Sequence, residues 1–239
     1  MTPFFLVGLT GVGKSTAVGA LQSSAVPLTL LPNRRVLADT LMIPEVQRAA
    51  GEPVRAVTDR VERFALTRRY RERYPGGVVH ALGRYQQTAP PTAAEGWVFD
   101  NLRGLGEVTA AAKTFPDARF IVLYAPPLER LLRLIGRHDR FDRVAATRLE
   151  NSSFAEHLMG FGGLETVFDP YELARLEARG IPEADILNAV RIIMSEAEHY
   201  DMSAATTYLR GEKDAAGLLQ LDTADLSVAE VQARVRDWL

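Results

Sequence analysis

A chain that sets Gly8-Leu9-Thr10-Gly11-Val12-Gly13-Lys14-Ser15-Thr16 directly after Phe4-Phe5-Leu6-Val7 has few ways to fold. The nine residues fit the pattern G-x-x-x-x-G-K-S/T of a phosphate-binding loop. The apolar run before them reads as a buried parallel strand, and the segment from Ser15 to Leu21 can start a helix. Gly8, Gly11 and Gly13 let the backbone turn sharply and approach an anion closely. The N–H groups between Thr10, Val12 and Thr16, with the positive end of the helix behind them, then point at phosphates. Lys14 adds a mobile charge that can reach the β- and γ-phosphates, and Ser15 is placed to ligate Mg²⁺. The plainer alternative is a glycine-rich turn with an incidental lysine. It explains neither the strand before the loop nor the helix after it.

The rest of the composition narrows the class. At 239 residues the chain allows one large domain, or a domain with a sizeable insertion. A hydrophobic content of 47% supports a substantial core, and a net charge of −2 gives no electrostatic case for nucleic-acid or membrane binding. The chain has no cysteine, which excludes disulfides, thiolate-held zinc and a thiol nucleophile. The first residues lack the basic region of a signal peptide, and no apolar run has the length of a transmembrane helix, so a cytoplasmic location is expected. Of the 28 basic residues only Lys14, Lys113 and Lys213 are lysine. With arginine so common, a single arginine is weak evidence of an anion site. A lysine inside the glycine loop is correspondingly stronger evidence.

Residues 26 to 31 read as a second strand stopped by Pro32, and Asn33-Arg34-Arg35 follow at its C-terminal end. Open α/β sheets bind ligands just beyond the C-terminal ends of their strands, so Arg34 and Arg35 are candidate substrate contacts. An amphipathic helix is expected over 55–73, with Val57, Val61, Phe64 and Ala65 as its apolar face. Its arginines are a solvated face, or else Arg60 and Arg63 reach an anionic substrate. A short helix is expected over 78–87, then a Pro-rich loop over 88–96.

Trp97-Val98-Phe99 is a second buried-strand pattern, and Asp100 is read as its end. An apolar strand delivering a carboxylate beside a phosphate loop has the Walker-B form, in which the carboxylate holds Mg²⁺ directly or through water. Arg103 follows closely enough to face the same crevice. Residues 119–124 read as another strand. Ala125-Pro126-Pro127 then lead into a helix to about Ile135. The polar stretch from Gly136 to Arg143 suggests a lid closing over phosphates through Arg137, Arg140 and Arg143. Its His138, Asp139 and Asp142 could be drawn as a metal site, or as solvated lid charges.

Residues 151–212 read as helical throughout. Expected caps are Ser152 or Ser153, Asp169 before Pro170, Gly180 as a terminator, Pro182 as a start and Ser203 as a last cap. Glu196, His199, Tyr200 and Asp201 are explained there as an ordinary helix end. The chain closes with a strand over 218–222 and a helix capped by Ser227 and Glu230.

Three stretches, GLTGVGKST at 8–16, WVFDNLRG at 97–104 and LQLDTADLSVAEV at 219–231, resemble P-loop kinases of the nucleotide- and small-molecule-kinase group. The closing stretch is similar to the last strand–turn–helix of cytidylate-kinase-like and gluconate-kinase-like proteins. YAPPLERLLRLIGR at 124–137 resembles their lead-in to the lid. The resemblance implies an α/β P-loop NTPase sandwich, with a five-stranded parallel sheet ordered 2-3-1-4-5 and a helical lid or insertion. It implies one domain over 1–239 with a helical insertion at 144–212. It also implies ATP and Mg²⁺ as cofactors, Thr223 and Ala224 near the base, and lid arginines near the phosphates. Residues 34–87 match no single family's substrate site, and 144–212 is longer than a usual lid.

The expected activity is transfer of the γ-phosphoryl group of ATP to a nucleotide, nucleoside or other small metabolite. A P-loop ATPase or nucleotide-dependent switch without such an acceptor is the alternative, and a kinase or ATPase acting on nucleic-acid ends is a third. The guanine motif N-K-x-D of GTPases and the L-S-G-G-Q of ABC ATPases are both missing.

Overall fold

A computed structural model describes residues 2–88, 96–135 and 153–239, with the side chains of Arg60 and Val61 excepted. In chain order, β1 (Thr2–Val7) leads through the glycine loop to α1 (Lys14–Gln22) and β2 (Leu28–Leu30). Helix α2 (Arg34–Leu37) runs through a π-helical turn, Ala38–Met42, into α3 (Ile43–Ala49). There follow α4 (Arg60–Arg73), α5 (Val78–Thr88), β3 (Gly96–Leu102), α6 (Gly104–Thr114), β4 (Arg119–Tyr124) and α7 (Pro127–Ile135). The second half holds α8 (Phe154–Met159), α9 (Pro170–Ala178), α10 (Glu183–His199), α11 (Met202–Glu212), β5 (Leu218–Asp222) and α12 (Val228–Trp238).

The strands form one parallel sheet ordered β2-β3-β1-β4-β5, which is the topology of the P-loop NTPase sandwich. Central strand β1 shows why the sheet is covered on both faces. Phe5 and Val7 pack with Trp97, Phe99, Phe120 and Val108 on one side, while Phe4 and Leu6 pack with Val98, Ile121 and Val18 on the other. Alternate side chains leave a strand on opposite faces, so an unbroken apolar run requires a helical layer on each. Helices α5, α6 and α11 contribute to the first core, and α1 and α12 to the second. A third apolar cluster joins α7 to α8, α9 and α10 through Leu131, Leu134, Phe154, Leu173, Ile186 and Ile193.

Several expected caps recur in three dimensions. The Ser153 hydroxyl accepts from the Glu156 N–H and Ser227 from Glu230, each within a full capping box. Asp169 accepts from Tyr171 N at the start of α9, and Gly180 follows α9 with φ +83°.

Other expectations are corrected. The last helical cap before β5 is Asp201, not Ser203: its carboxylate accepts from Ala204 N at 2.8 Å, which starts α11 two residues earlier in the chain. Helix α4 begins only at Arg60, because Asp59 caps it by accepting from Glu62 N. Val57 is buried ahead of the helix, and Phe64 is 57% exposed. The buried face of α4 is made by Leu66 and Tyr70, with the Tyr70 hydroxyl 2.8 Å from His80 Nδ1. The helices at 34–49 and at 104–114 had no counterpart in the sequence reading. Helix α6 follows Arg103, which gives no side-chain cap, whereas α2 does carry a readable signal, the Asn33 side chain accepting from Arg35 N at 3.0 Å and Val36 N at 3.1 Å. Asp100 also does not end its strand. Strand β3 continues to Leu102, and its register against β1 slips between Phe5↔Phe99 and Val7↔Leu102. Asp100 and Asn101 form that irregularity, a feature common beside functional sites because it re-aims side chains.

Candidate active site

The glycine loop lies at the C-terminal edge of the sheet, between β1 and α1. Gly11 and Gly13 adopt φ +86° and +90°, a region open to glycine at little cost. A Cβ at Gly11 would stand 2.9 Å from the Arg130 carbonyl oxygen, and one at Gly8 would stand 2.8 Å from that of Leu123. The loop is therefore pressed against β4 and α7 as well as bent. No N–H of Gly11, Val12 or Gly13 has an acceptor among the described residues. Buried amide donors are nearly always paired, so this concave row of N–H groups at a helix N-terminus has the form of an anion cradle.

Lys14 keeps part of its side chain accessible. Its ammonium donates to the carbonyls of Gly8 at 2.9 Å and Leu9 at 2.6 Å. Burial is the main cause that lowers its pKa to about 7, and Arg103 adds to the shift; Glu196 and Asp100 oppose it. Ser15, the next residue, is exposed. Asp100 accepts from Asn101 Nδ2 at 3.2 Å and lies close enough to Lys14 to favour its charged form.

The opposite wall is a buried charge cluster. Thr10 N donates to both carboxylate oxygens of Glu196, at 3.2 and 3.1 Å, and the Thr10 hydroxyl donates to Glu196 Oε1 at 2.5 Å. Arg103 Nη1 pairs with Glu196 Oε1 at 2.7 Å, and Arg130 Nη2 pairs with Oε2. Arg130 Nε also donates to the Thr10 carbonyl at 2.8 Å. Arg103 Nε is buried without a partner among the described residues. An orphaned guanidinium donor beside a row of open N–H groups suits an incoming phosphate. Burial lowers the pKa of Arg130 from its ordinary value.

The other candidates fall in several places. Arg34 pairs with Glu107, which also accepts from Arg103 N at 3.1 Å. Burial pulls the Arg34 guanidinium below the ordinary arginine range, and the charges of Arg103 and Arg71 add to that; Tyr200 works the other way. Arg34, Arg71, Arg103 and Tyr200 therefore lie within electrostatic reach of one another, with the Arg103 guanidinium 5.8 Å from the Tyr200 ring centre. Arg35 is exposed. Arg63 is held by Asp39 and by the Arg35 carbonyl at 3.2 Å. Arg60 is the first residue of α4, and its side chain lies outside what is described. Thr223 is buried after β5, its hydroxyl donating to the carbonyls of Val12 and Tyr124, both at 3.1 Å, with Ala224 beside it. The lid candidates Arg137, Arg140 and Arg143, with His138, Asp139 and Asp142, lie outside the described residues, as do most of the loop at 88–96 and Ser152.

Three residues of the site were not singled out from sequence. Arg130 and Arg133 lie three apart on α7 and therefore share a face. Arg133 donates to the Thr223 hydroxyl at 2.8 Å and to its carbonyl at 2.6 Å, clamping the closing loop to Gly11. Their helical spacing after β4 could have signalled this. Glu196, read from sequence with His199, Tyr200 and Asp201 as an ordinary helix end, is instead bonded to the loop; nothing local announces this, since 186 positions separate it from Thr10.

The Lys14 environment sets a pH dependence. Its folded pKa near 7 is below the unfolded value of 10.5, so between these two values the unfolded chain holds the extra proton. This group therefore adds stability as pH rises through that window and contributes no pH dependence below it. A polyphosphate placed beside Lys14 restores the charged form. Binding of ATP at pH 8 is thus expected to take up about one proton. Calorimetry in two buffers of different ionisation enthalpy measures this, and identical heats in both would refute it.

No family model matches the chain, and no curated protein matches it. Solved structures do. The structure of TT1252 from Thermus thermophilus aligns with 99% of this chain and 94% of its own, at 16% identity and a TM-score of 0.50. That of a gluconokinase from Sinorhizobium meliloti 1021 aligns with 99% of this chain and 90% of its own, at 13% identity and a TM-score of 0.46. The TT1252 likeness is one of fold. Among the described residues, no helix is long and apolar enough to cross a membrane.

Proposed function

We propose that this chain is a Mg²⁺-dependent phosphotransferase that moves the γ-phosphoryl group of ATP to a small acceptor, a nucleotide, nucleoside or other metabolite. The observation that carries this reading is the loop itself. Open N–H groups at Gly11, Val12 and Gly13 stand beside Lys14, with Asp100 on the neighbouring strand and two guanidinia, Arg103 and Arg130, facing them. Phosphoryl transfer asks a protein for positioning and charge neutralisation rather than covalent chemistry, and these groups supply both.

In this reading the residues from Gly8 to Thr16 hold the phosphates, and Thr223 and Ala224 border the base. Lys14 neutralises charge that builds on the transferring group. Ser15 and Asp100 hold Mg²⁺, which would spread that charge further when bound. Arg34 and Arg103 face an acceptor from the crevice beyond β3, and their charge suits one that carries an anionic group. The chain then works as one domain, in which α10 carries Glu196 to the loop.

The test is an ATP-consumption screen across nucleosides, nucleotides, sugars and sugar acids. The expected result is ADP release that depends on one acceptor class, with a phosphorylated product seen by mass spectrometry. ADP release at the same rate with every acceptor and with none would overturn the kinase reading in favour of an ATPase or switch.

A further inference from the structure

Glu196 is the least expected group at the loop. It is a carboxylate, 5% exposed, in the last turn of α10, and it lies against donors whose chemistry suits an anion. It takes the Thr10 N–H with both oxygens, the Thr10 hydroxyl and one nitrogen from each of Arg103 and Arg130. A terminal phosphoryl oxygen would use the same kinds of donor: loop N–H, hydroxyl and guanidinium. The helix end makes matters worse for an incoming anion, because α10 brings the negative pole of its dipole to this point.

The remaining charges show that the carboxylate only partly satisfies the cluster. Among the described residues, the side-chain charges acting on Lys14 are Arg103 and Arg130 against Glu196 and Asp100. Arg103 Nε has no partner among the described residues, and the Lys14 ammonium is turned back on the carbonyls of its own loop.

We propose that Glu196 is an internal anion that latches the phosphate site, and that the terminal phosphates of the nucleotide compete with it for Thr10, Arg103 and Arg130. This rests on the phosphate-loop reading above and adds a regulator to it. The latch opens by rotation of one side chain at a helix end. The rest of α10 stays packed on α7 through Ile186, Val190 and Ile193. Each carboxylate–guanidinium contact must break before the phosphate contacts form, so the latch weakens resting affinity and gives the helical segment leverage on nucleotide entry.

The test is calorimetry on the full chain with Glu196→Gln, which keeps shape and removes charge. The probes are ATP, inorganic tripolyphosphate and adenosine. Glu196→Gln is expected to bind ATP and tripolyphosphate about tenfold or more tightly, with adenosine affinity unchanged. A wild-type measurement stands beside it in case the variant folds poorly. Carbodiimide labelling of Glu196, read by peptide mass spectrometry, is expected to rise several-fold when ATP binds, as the carboxylate leaves its buried site. Unchanged or weaker polyphosphate binding by the variant, or labelling that stays flat or falls, overturns the latch while wild-type ATP binding leaves the phosphate loop standing. If neither folded protein binds ATP or tripolyphosphate, both readings fall.

Discussion

Lys14→Ala is expected to fold normally and to lose roughly tenfold to a hundredfold in ATP affinity, the worth of about 1.5–3 kcal/mol for a charge-assisted contact. Turnover should fall further, by about 10²–10³, because charge on the transferring group peaks in the transition state. Folding survives for a structural reason. Burial, Arg103 and Arg130 disfavour the charge of the ammonium, against Glu196 and Asp100, and among the described residues it is bonded to the carbonyls of Gly8 and Leu9. Removing it relieves a desolvation cost and like-charge repulsion and leaves no buried carboxylate unpaired, since Glu196 keeps Thr10, Arg103 and Arg130. Calorimetry and steady-state kinetics give both numbers. Wild-type affinity in the variant would remove the phosphate-loop reading itself.

Asp100→Asn separates the metal from the nucleotide. The variant keeps an oxygen to accept from Asn101, so the irregular stretch of β3 is preserved. Turnover in Mg²⁺ is expected to fall by about 10² or more, the scale of losing one electrostatic stabiliser. Metal-free ATP affinity should stay level or rise slightly, since a negative charge has left the phosphate site. Titrating Mg²⁺ at saturating ATP would show the apparent metal affinity weakening in step. Equal losses with and without metal would make Asp100 a bystander near Lys14.

The extent to which this site was legible follows from distance along the chain. The phosphate loop could be read because its whole function is local. Glycine conformations, N–H direction and helix start all lie within nine residues, and the structure bends them at Gly11 and Gly13. The strand pattern was legible for a similar reason, since short apolar runs bounded by glycines, prolines and polar residues admit few alternatives; the sheet order followed from the resemblance to P-loop kinases, and the structure has that order. Capping was readable wherever a short polar side chain met its own helix, as at Ser153 and Ser227. It failed at Ser203 because Asp201, two residues earlier, was the better acceptor for an N–H two places beyond Met202.

Arginine was where sequence reasoning had least purchase. With nearly all basic residues of one type, position had to decide, and position is tertiary. Arg63, a candidate substrate contact, is paired with Asp39 and with the Arg35 carbonyl, contacts that the sequence does not display. Arg130 looked like an ordinary helix residue but is buried at the loop. Phe64 was assigned to a core that Leu66 and Tyr70 fill instead, because the buried face of α4 is the one turned to Met42, Ile43 and Val46.

By itself the sequence determined a strand, a glycine loop and a helix in that order, and with them the expectation of a polyphosphate held by backbone N–H groups and one lysine. Those features depend on neighbours in the chain, whose geometry is fixed by covalent bonds. Only the tertiary structure decided which charges surround that loop. It brought Glu196 across 186 positions to Thr10 and turned Arg103 and Arg130 onto the same carboxylate. Those pairings depend on how α7 and α10 pack their apolar faces. That packing is a sum of many small contacts spread over Leu131, Leu134, Ile186 and Ile193, and no single stretch of sequence records it.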